Sequence, residues 1–270
     1  MDLAHTDAQP YADLAFRDWV FRFGHFYTVA GYESPMAVEN FFYSHSYTMQ
    51  YGEPFTHTGM LAKWKLNDRF SVSAGLQRGW DQFEDNNDKL GFLGAINWAS
   101  EDEKTTVALS LVSGDEQDVG SATRDLVSFV WTQKLGERWK YVLQSDLGRE
   151  QDVLAGGQDG EWYGLVNYLY YELNPCWSFG ARYEWVNDAA GVRVLGTPAE
   201  LGGLPIGGVP SHWQEFTVGL NYKPNTNVLL RSELRWDWVD PHNDRVNDGP
   251  FDDFSDRSQF LWGTDLIVRF

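Results

Sequence analysis

The chain ends in a run of period two. Phe260, Trp262, Thr264, Leu266, Val268 and Phe270 fall on one face, and Gln259, Leu261, Gly263, Asp265, Ile267 and Arg269 on the other. Successive strand side chains point to opposite faces, so such a run needs an apolar medium on one side and a mixed one on the other. A free terminal edge of this kind invites pairing with other chains. A closed barrel removes that hazard by using the edge as its seam.

The same alternation recurs throughout and predicts strands at 10–16, 19–27, 55–66, 70–80, 89–99, 104–113, 122–133, 138–149, 161–173, 176–187, 212–223, 227–238 and 258–270. Short connections such as 66–69, 99–104, 135–138, 173–176 and 223–226 are separated by longer polar ones at 31–54, 81–88, 113–121, 187–211 and 240–256. Sorting of loop lengths by end is the mark of a barrel with periplasmic turns and extracellular loops. Outward aromatics then gather near the short turns (Trp64, Phe70, Trp98, Trp139, Trp177, Tyr222) and near the long loops (Trp80, Trp185, Trp236, Trp238), as interfacial belts do. A soluble sandwich lined by the same rings, or a Trp-rich carbohydrate-binding domain, is the competing reading. In 161–173 Tyr and Leu occupy both faces and leave the register open.

The expected fold class is therefore all-β, an antiparallel up-and-down transmembrane β-barrel of about 12–14 strands, with residues 1–270 as one barrel domain. Thirteen is odd, whereas bacterial single-chain barrels have even counts. Either the segments around Asp13 and Trp19 form one kinked element, or an N-terminal strand is lacking. No basic and apolar leader follows Met1, so the chain reads as a mature form or a fragment, and truncation is the simpler explanation of the odd count.

No apolar run approaches the roughly 18–20 residues of a membrane helix, and the mean hydropathy of −0.44 fits strands whose greasy positions are interleaved with polar ones. A net charge of −18 argues against a nucleic-acid partner. The single Cys176 rules out an internal disulfide framework.

Propagating the outward register of the last strand turns Arg231, Glu233, Arg235, Asp237 and Asp265 inward, with Arg182, Glu184, Glu215 and Asn221, then Lys140, Gln144, Asp146, Lys63 and Lys65. Facing lipid, Arg or Lys would cost roughly 2–4 kcal/mol at the midplane, so these groups belong to a polar interior. A solvated, salt-bridged wall is the expectation. Arg182, Glu184, Glu215, Arg231, Glu233, Arg235, Asp237 and Asp265 are its candidate pore-lining residues. The connection 31–54 is unusually long and too aromatic for a disordered tail. It folds into the pore mouth as a constriction, with Tyr43, His45, Tyr47, Gln50 and Glu53 as candidate lining groups, or lies on the rim as a cap.

The acidic loops 81–88, 240–244, 247–248 and 252–253 could offer oxygen ligands to calcium. They lack the full EF-hand pattern and are better read as solvated turn residues. His5, His25, His45, His57, His212 and His242 are scattered, with no close pair on one strand, so no metal or other cofactor is expected. Ser44, His45, Ser46 and His57 lie near one another in sequence without a nucleophile elbow, and no catalytic residue is assigned.

Three stretches, 23–33, 40–59 and Gly79-Trp80-Asp81, make the chain resemble the beta-barrel porin-2 (OmpL-like) family, most strongly over residues 20–100 and continuously to Phe270. The resemblance implies a Gram-negative outer-membrane barrel acting as a diffusion channel, in contact with outer-membrane lipid and delivered by the barrel-assembly machinery through the strand ending at Phe270. Members carry a leader and one more amphipathic strand ahead of the segment matching Tyr11–Phe16, which would bring the count to fourteen. The leading expectation is passive passage of small hydrophilic solutes or ions, with weak cation preference. The alternative is a plugged structural or adhesive barrel that binds partners through its long acidic loops.

Overall fold

In the computed structural model, which describes residues 9–117, 122–154, 156–194, 209–242, 249–252 and 255–270, all thirteen expected strands form. They are β1 (Tyr11–Phe16), β2 (Trp19–Tyr27), β3 (Thr56–Lys65), β4 (Phe70–Gln77), β5 (Gly91–Ala99), β6 (Thr105–Asp115), β7 (Thr123–Leu135), β8 (Trp139–Leu154), β9 (Gln158–Asn174), β10 (Trp177–Asp188), β11 (Ser211–Asn225), β12 (Val228–Pro241) and β13 (Ser258–Val268). Each pairs antiparallel with the next in one sheet of sequence order. Among the described residues β1 and β13 are not bonded to each other.

The kinked-element reading of the N-terminal region is overturned. Arg17, at φ 53°, and Asp18 make a tight turn that folds β1 back on β2, with Phe16 opposite Trp19 and Tyr11 opposite Gly24. The β8–β9 hairpin also departs from expectation. Both strands run on past residues 149 and 161 to a tight turn at Gly156 and Gly157, so this long-loop end carries a two-stranded projection. Seventeen residues in β9 exceed the roughly 9–11 that span a bilayer, so the strand is longer than the hydrocarbon core requires.

The outer face is apolar and exposed from β4 to β13, as at Phe70, Ile96, Leu109, Leu147, Leu165, Phe216, Leu234 and Trp262. A soluble sandwich would have buried this face, which contradicts that alternative. At the short-turn end, aromatic side chains on adjacent strands meet: Trp19 with Trp64 at 5.1 Å, Trp139 with Tyr171 at 4.4 Å, and Trp177 with Tyr222 at 4.4 Å between ring centroids. At the other end Trp236 bridges Phe216 and Phe260. Trp80 is a correction, because it is buried on the inner side, edge-on to Trp162 and between the guanidinium groups of Arg124 and Arg193. Gly79, at φ 130°, turns the chain inward there. The register of β9 is settled too: Trp162, Val166, Tyr168 and Tyr170 are buried, while Leu165 and Leu169 are exposed.

Candidate functional site

Segment 28–55, between β2 and β3, lies against the inner face of the sheet. Outside a turn of 3-10 helix at Ala37–Glu39 and a wide turn at Thr48–Gly52, it has no regular structure to satisfy its peptide groups. A backbone buried this way must find partners elsewhere. The wall supplies them from charged side chains, each matched to the peptide group it meets. Carboxylates take the N–H groups: Glu233 accepts from Tyr43 at 2.7 Å and Ser44 at 3.1 Å, and Glu184 accepts from Tyr47 and Thr48, both at 2.6 Å. Arginines take the carbonyls. Arg231 Nη1 donates to Ala37, Asn40 and Phe42 at 2.7, 2.8 and 3.0 Å, Arg182 to Ser44 at 2.9 Å, and Arg235 to His45 at 2.6 Å. The indole of Trp162 donates to Gly52 O at 3.0 Å and Arg193 to Tyr51 O at 2.8 Å.

These side chains also compensate one another. Arg182 is held between Glu33, at 2.6 Å, and both oxygens of Glu215. Arg235 bonds Asp237 at 2.7 Å, and Arg231 bonds Asp265 through two nitrogens. Arg182, Glu184 and Glu215 are 0% exposed. The wall that the sequence reading takes as solvated is therefore dry at these positions, because the loop occupies the place of water.

Three glycines, missed at the sequence level, make room for the loop. Gly180 on β10 sits opposite Gly219 on β11, and that register row continues through Glu233 on β12 to Gly263 on β13. A Cβ at Gly180 would lie 2.5 Å from the Phe41 ring, one at Gly219 would lie 3.1 Å from Phe42, and one at Gly263 would lie 3.0 Å from Tyr43. The row is a trough into which Phe41, Phe42 and Tyr43 seat. Glycines at inward positions of neighbouring strands, in register, were the available signal.

Of the five loop residues singled out by sequence, Tyr43 is half exposed and Gln50 is exposed. Tyr47 is buried between Tyr51 and Trp213, beneath Arg235. His45 directs Nε2 to Ser34 O and Asn40, whereas Ser44 Oγ accepts from Arg182, so the two adjacent side chains turn to different partners. Glu53 is 3% exposed and accepts from Gln144. Lys63 and Lys65 are exposed, with Lys65 paired to Asp68. The histidines are less scattered than their numbers suggest, since the rings of His212 and His242 approach to 4.2 Å across the β11–β12 end. Asp244, Asn247, Asp248, Asp253 and His5 lie outside the described residues.

Open space remains at the short-turn end. A cavity of about 720 Å³ lies between loop residues Ser34–Phe42 and the turns of β7–β8 and β9–β10, with Lys134, Arg138 and Lys140 in its lining. A second, of about 530 Å³, adjoins the inner positions Val20, Lys63, Ser71, Asn97, Ala108 and Val130. Toward the long loops Leu61, Leu93, Val112 and Leu126 pack with Ala30, Trp80 and Trp162 into an apolar cluster.

The model of the family described as "Putative beta-barrel porin-2, OmpL-like" matches residues 9–270. No curated protein matches the chain. Among solved structures, it resembles a loop L8 deletion mutant of OmpT, an outer membrane protein of Vibrio cholerae, with TM-score 0.63 and 14% identity over 96% of this chain and 78% of that one. It resembles the outer membrane channel DcaP of Acinetobacter baumannii with TM-score 0.60 and 11% identity over 86% and 68% of the two chains. A porin refined at 1.8 Å gives TM-score 0.54 and 11% identity over 96% and 80%. At these identities the structural likeness establishes the fold, that of outer-membrane β-barrels.

Proposed function

Because the chain belongs to the beta-barrel porin-2, OmpL-like family and is thus a bacterial outer-membrane protein, we propose that it is a passive diffusion channel for small hydrophilic solutes or ions, narrowed by segment 28–55. The observation that carries this reading is the side on which the loop is held. The charged side chains that hold its middle, Arg182, Glu184, Arg231, Glu233 and Arg235, are all on β10 and β12, while its two ends are tied to Ser128 on β7 and Gln144 on β8. The space beside β2–β7 is left open by small inner residues such as Ser71, Asn97 and Ala108, with Lys63, Lys65 and Arg69 at its short-turn end. In this reading Tyr43 and Gln50 face the solute path, while Arg182, Glu184, Glu215, Arg231, Glu233, Arg235, Asp237 and Asp265 shape it indirectly by fixing the loop. Tyr47, His45 and Glu53 belong to the loop's own framework. The excess of acid, a net charge of −18, favours a weak cation preference, and a reversal potential of anionic sign in a salt gradient would overturn that. The outer edge of β13 is the edge this reading offers to the barrel-assembly machinery.

The apolar cluster of Leu61, Leu93, Val112 and Leu126 favours a second reading, a barrel plugged at its long-loop end that serves as a surface scaffold. Planar-bilayer recording separates the two. The channel gives small ohmic steps from the intact chain and larger ones after deletion of residues 40–52. Unchanged steps from a folded deletion variant reject the constriction, and silence from both folded proteins selects the plugged scaffold.

A further inference from the structure

Glu53, at the end of the loop, and Asp146, on β8, are 3% and 0% exposed. Gln144 Nε2 donates to Glu53 Oε1 and, at 3.2 Å, to Asp146 Oδ1, which also accepts from Ser128 Oγ at 2.6 Å. The other oxygen of each carboxyl, Glu53 Oε2 and Asp146 Oδ2, has no donor among the described residues. The buried guanidinium of Arg182 is committed to Glu33 and Glu215. Of the remaining charged groups around this end of the loop, Glu184 on β10 takes the N–H groups of Tyr47 and Thr48, Asp81 takes those of Phe55 and Thr56, and Arg193 donates to Tyr51 O. Two ionised carboxylates cannot sit together in such a site without a cation.

We propose that Glu53 and Asp146 share one proton, and that this proton latches the base of segment 28–55 to the wall, so that its loss as pH rises frees the loop. Both ends of the segment converge at this point. Gly31 N–H donates to Ser128 Oγ at 3.2 Å and Tyr32 N–H to Gln144 Oε1 at 3.0 Å, while the Glu53 carboxyl fills a niche against Gly31 that a Cβ would occupy. Burial, and then the facing Asp146, holds the Glu53 carboxyl well above its usual range. The docked loop therefore binds the proton more tightly than the released loop. Docking is fully supported below the ordinary carboxyl range and is lost as pH rises through the raised one. The latch deepens the channel reading by giving it a control, but its test does not depend on conduction.

Met49 is 1% exposed inside the docked loop, whereas Met60 is 47% exposed on the outer face of β3. Peroxide converts an accessible thioether to the sulfoxide, and mass spectrometry of the detergent-solubilised full chain reports each methionine separately. Met49 oxidation relative to Met60 is expected to be slow at about pH 5 and to rise on the order of tenfold by about pH 10. In Glu53→Gln the amide supplies the missing donor, and Met49 stays protected throughout. Asp146→Asn serves the same purpose should the first variant fail to fold. A flat wild-type profile, or a rise that survives in the folded amide variant, overturns the proposal. Release of Met49 without a parallel rise in bilayer conductance leaves the latch standing and counts against the channel.

Discussion

The inner wall has two halves built on the same alternating strands. On β4–β6 it carries Ser71 and Ser73, Ala95 and Asn97, Ala108 and Ser110. On β10–β12 it carries Arg182 and Glu184, Glu215 and Thr217, then Arg231, Glu233, Arg235 and Asp237. Their outer faces are alike, with Phe70 and Leu109 on one half matched by Phe179 and Leu234 on the other. Lipid imposes one requirement on every strand, whereas the inner face is set by what it must hold. The second half holds an irregular backbone whose orphan N–H and C=O groups would each cost free energy if buried alone. Fixed charges answer that need, since one guanidinium reaches three carbonyls and one carboxylate two amides.

The most damaging single change should be Arg182→Ala, because it leaves the buried Glu33 without its cation, takes from Glu215 its two-nitrogen partner so that, among the described residues, only the cation of Arg235 remains at 3.7 Å, and frees Ser44 O. Breaking one partner from a buried network costs about 3–5 kcal/mol. The expected result is a lower unfolding midpoint together with new chymotryptic cleavage at Phe41 or Phe42, which the docked loop seats against the wall. A variant as stable and as resistant as wild type would mean that the charged half does not hold the loop. Next in size is Gly180→Val, which fills the trough under Phe41 and should cost about 1–3 kcal/mol through overpacking. Its distinguishing sign is loop release with the charges intact, read by the same cleavage. Continued protection would show that the trough is incidental.

What could be read beforehand follows from which medium touches each residue. The thirteen strands were legible because lipid and interior differ, which writes a period of two. The projection of β8 and β9 was not, since its outward positions Arg149, Gln151, Asp159 and Glu161 are polar while inward Glu150 is held by Arg124, so no apolar face writes an alternation there. Trp80 was misplaced because distance from a loop says nothing about Gly79, whose φ of 130° turns the chain inward. Arg182, Glu184, Arg231 and Glu233 were recognisable as inward, since lipid excludes them. Their partners were not recognisable, because those are peptide groups. The bond from Tyr47 N–H to Glu184 joins positions 137 apart and involves no side chain of the loop, so no residue pattern records it. The glycine row fails to announce itself for a related reason: Gly180, Gly219 and Gly263 become neighbours only once three registers are known.

The smallest expected effect tests the other half of the comparison. Ser73 on β4 is buried, and its hydroxyl forms no side-chain hydrogen bond among the described residues. Ser73→Ala should therefore shift stability by no more than about 0.5 kcal/mol. It should also leave the loop protected and the conductance unchanged. A loss above about 1.5 kcal/mol, the size of a hydrogen bond to a charged group, would show that β4 also grips something inside the sheet. The two halves would then differ in composition but not in role, and the space beside β2–β7 would no longer be distinguished as the solute path.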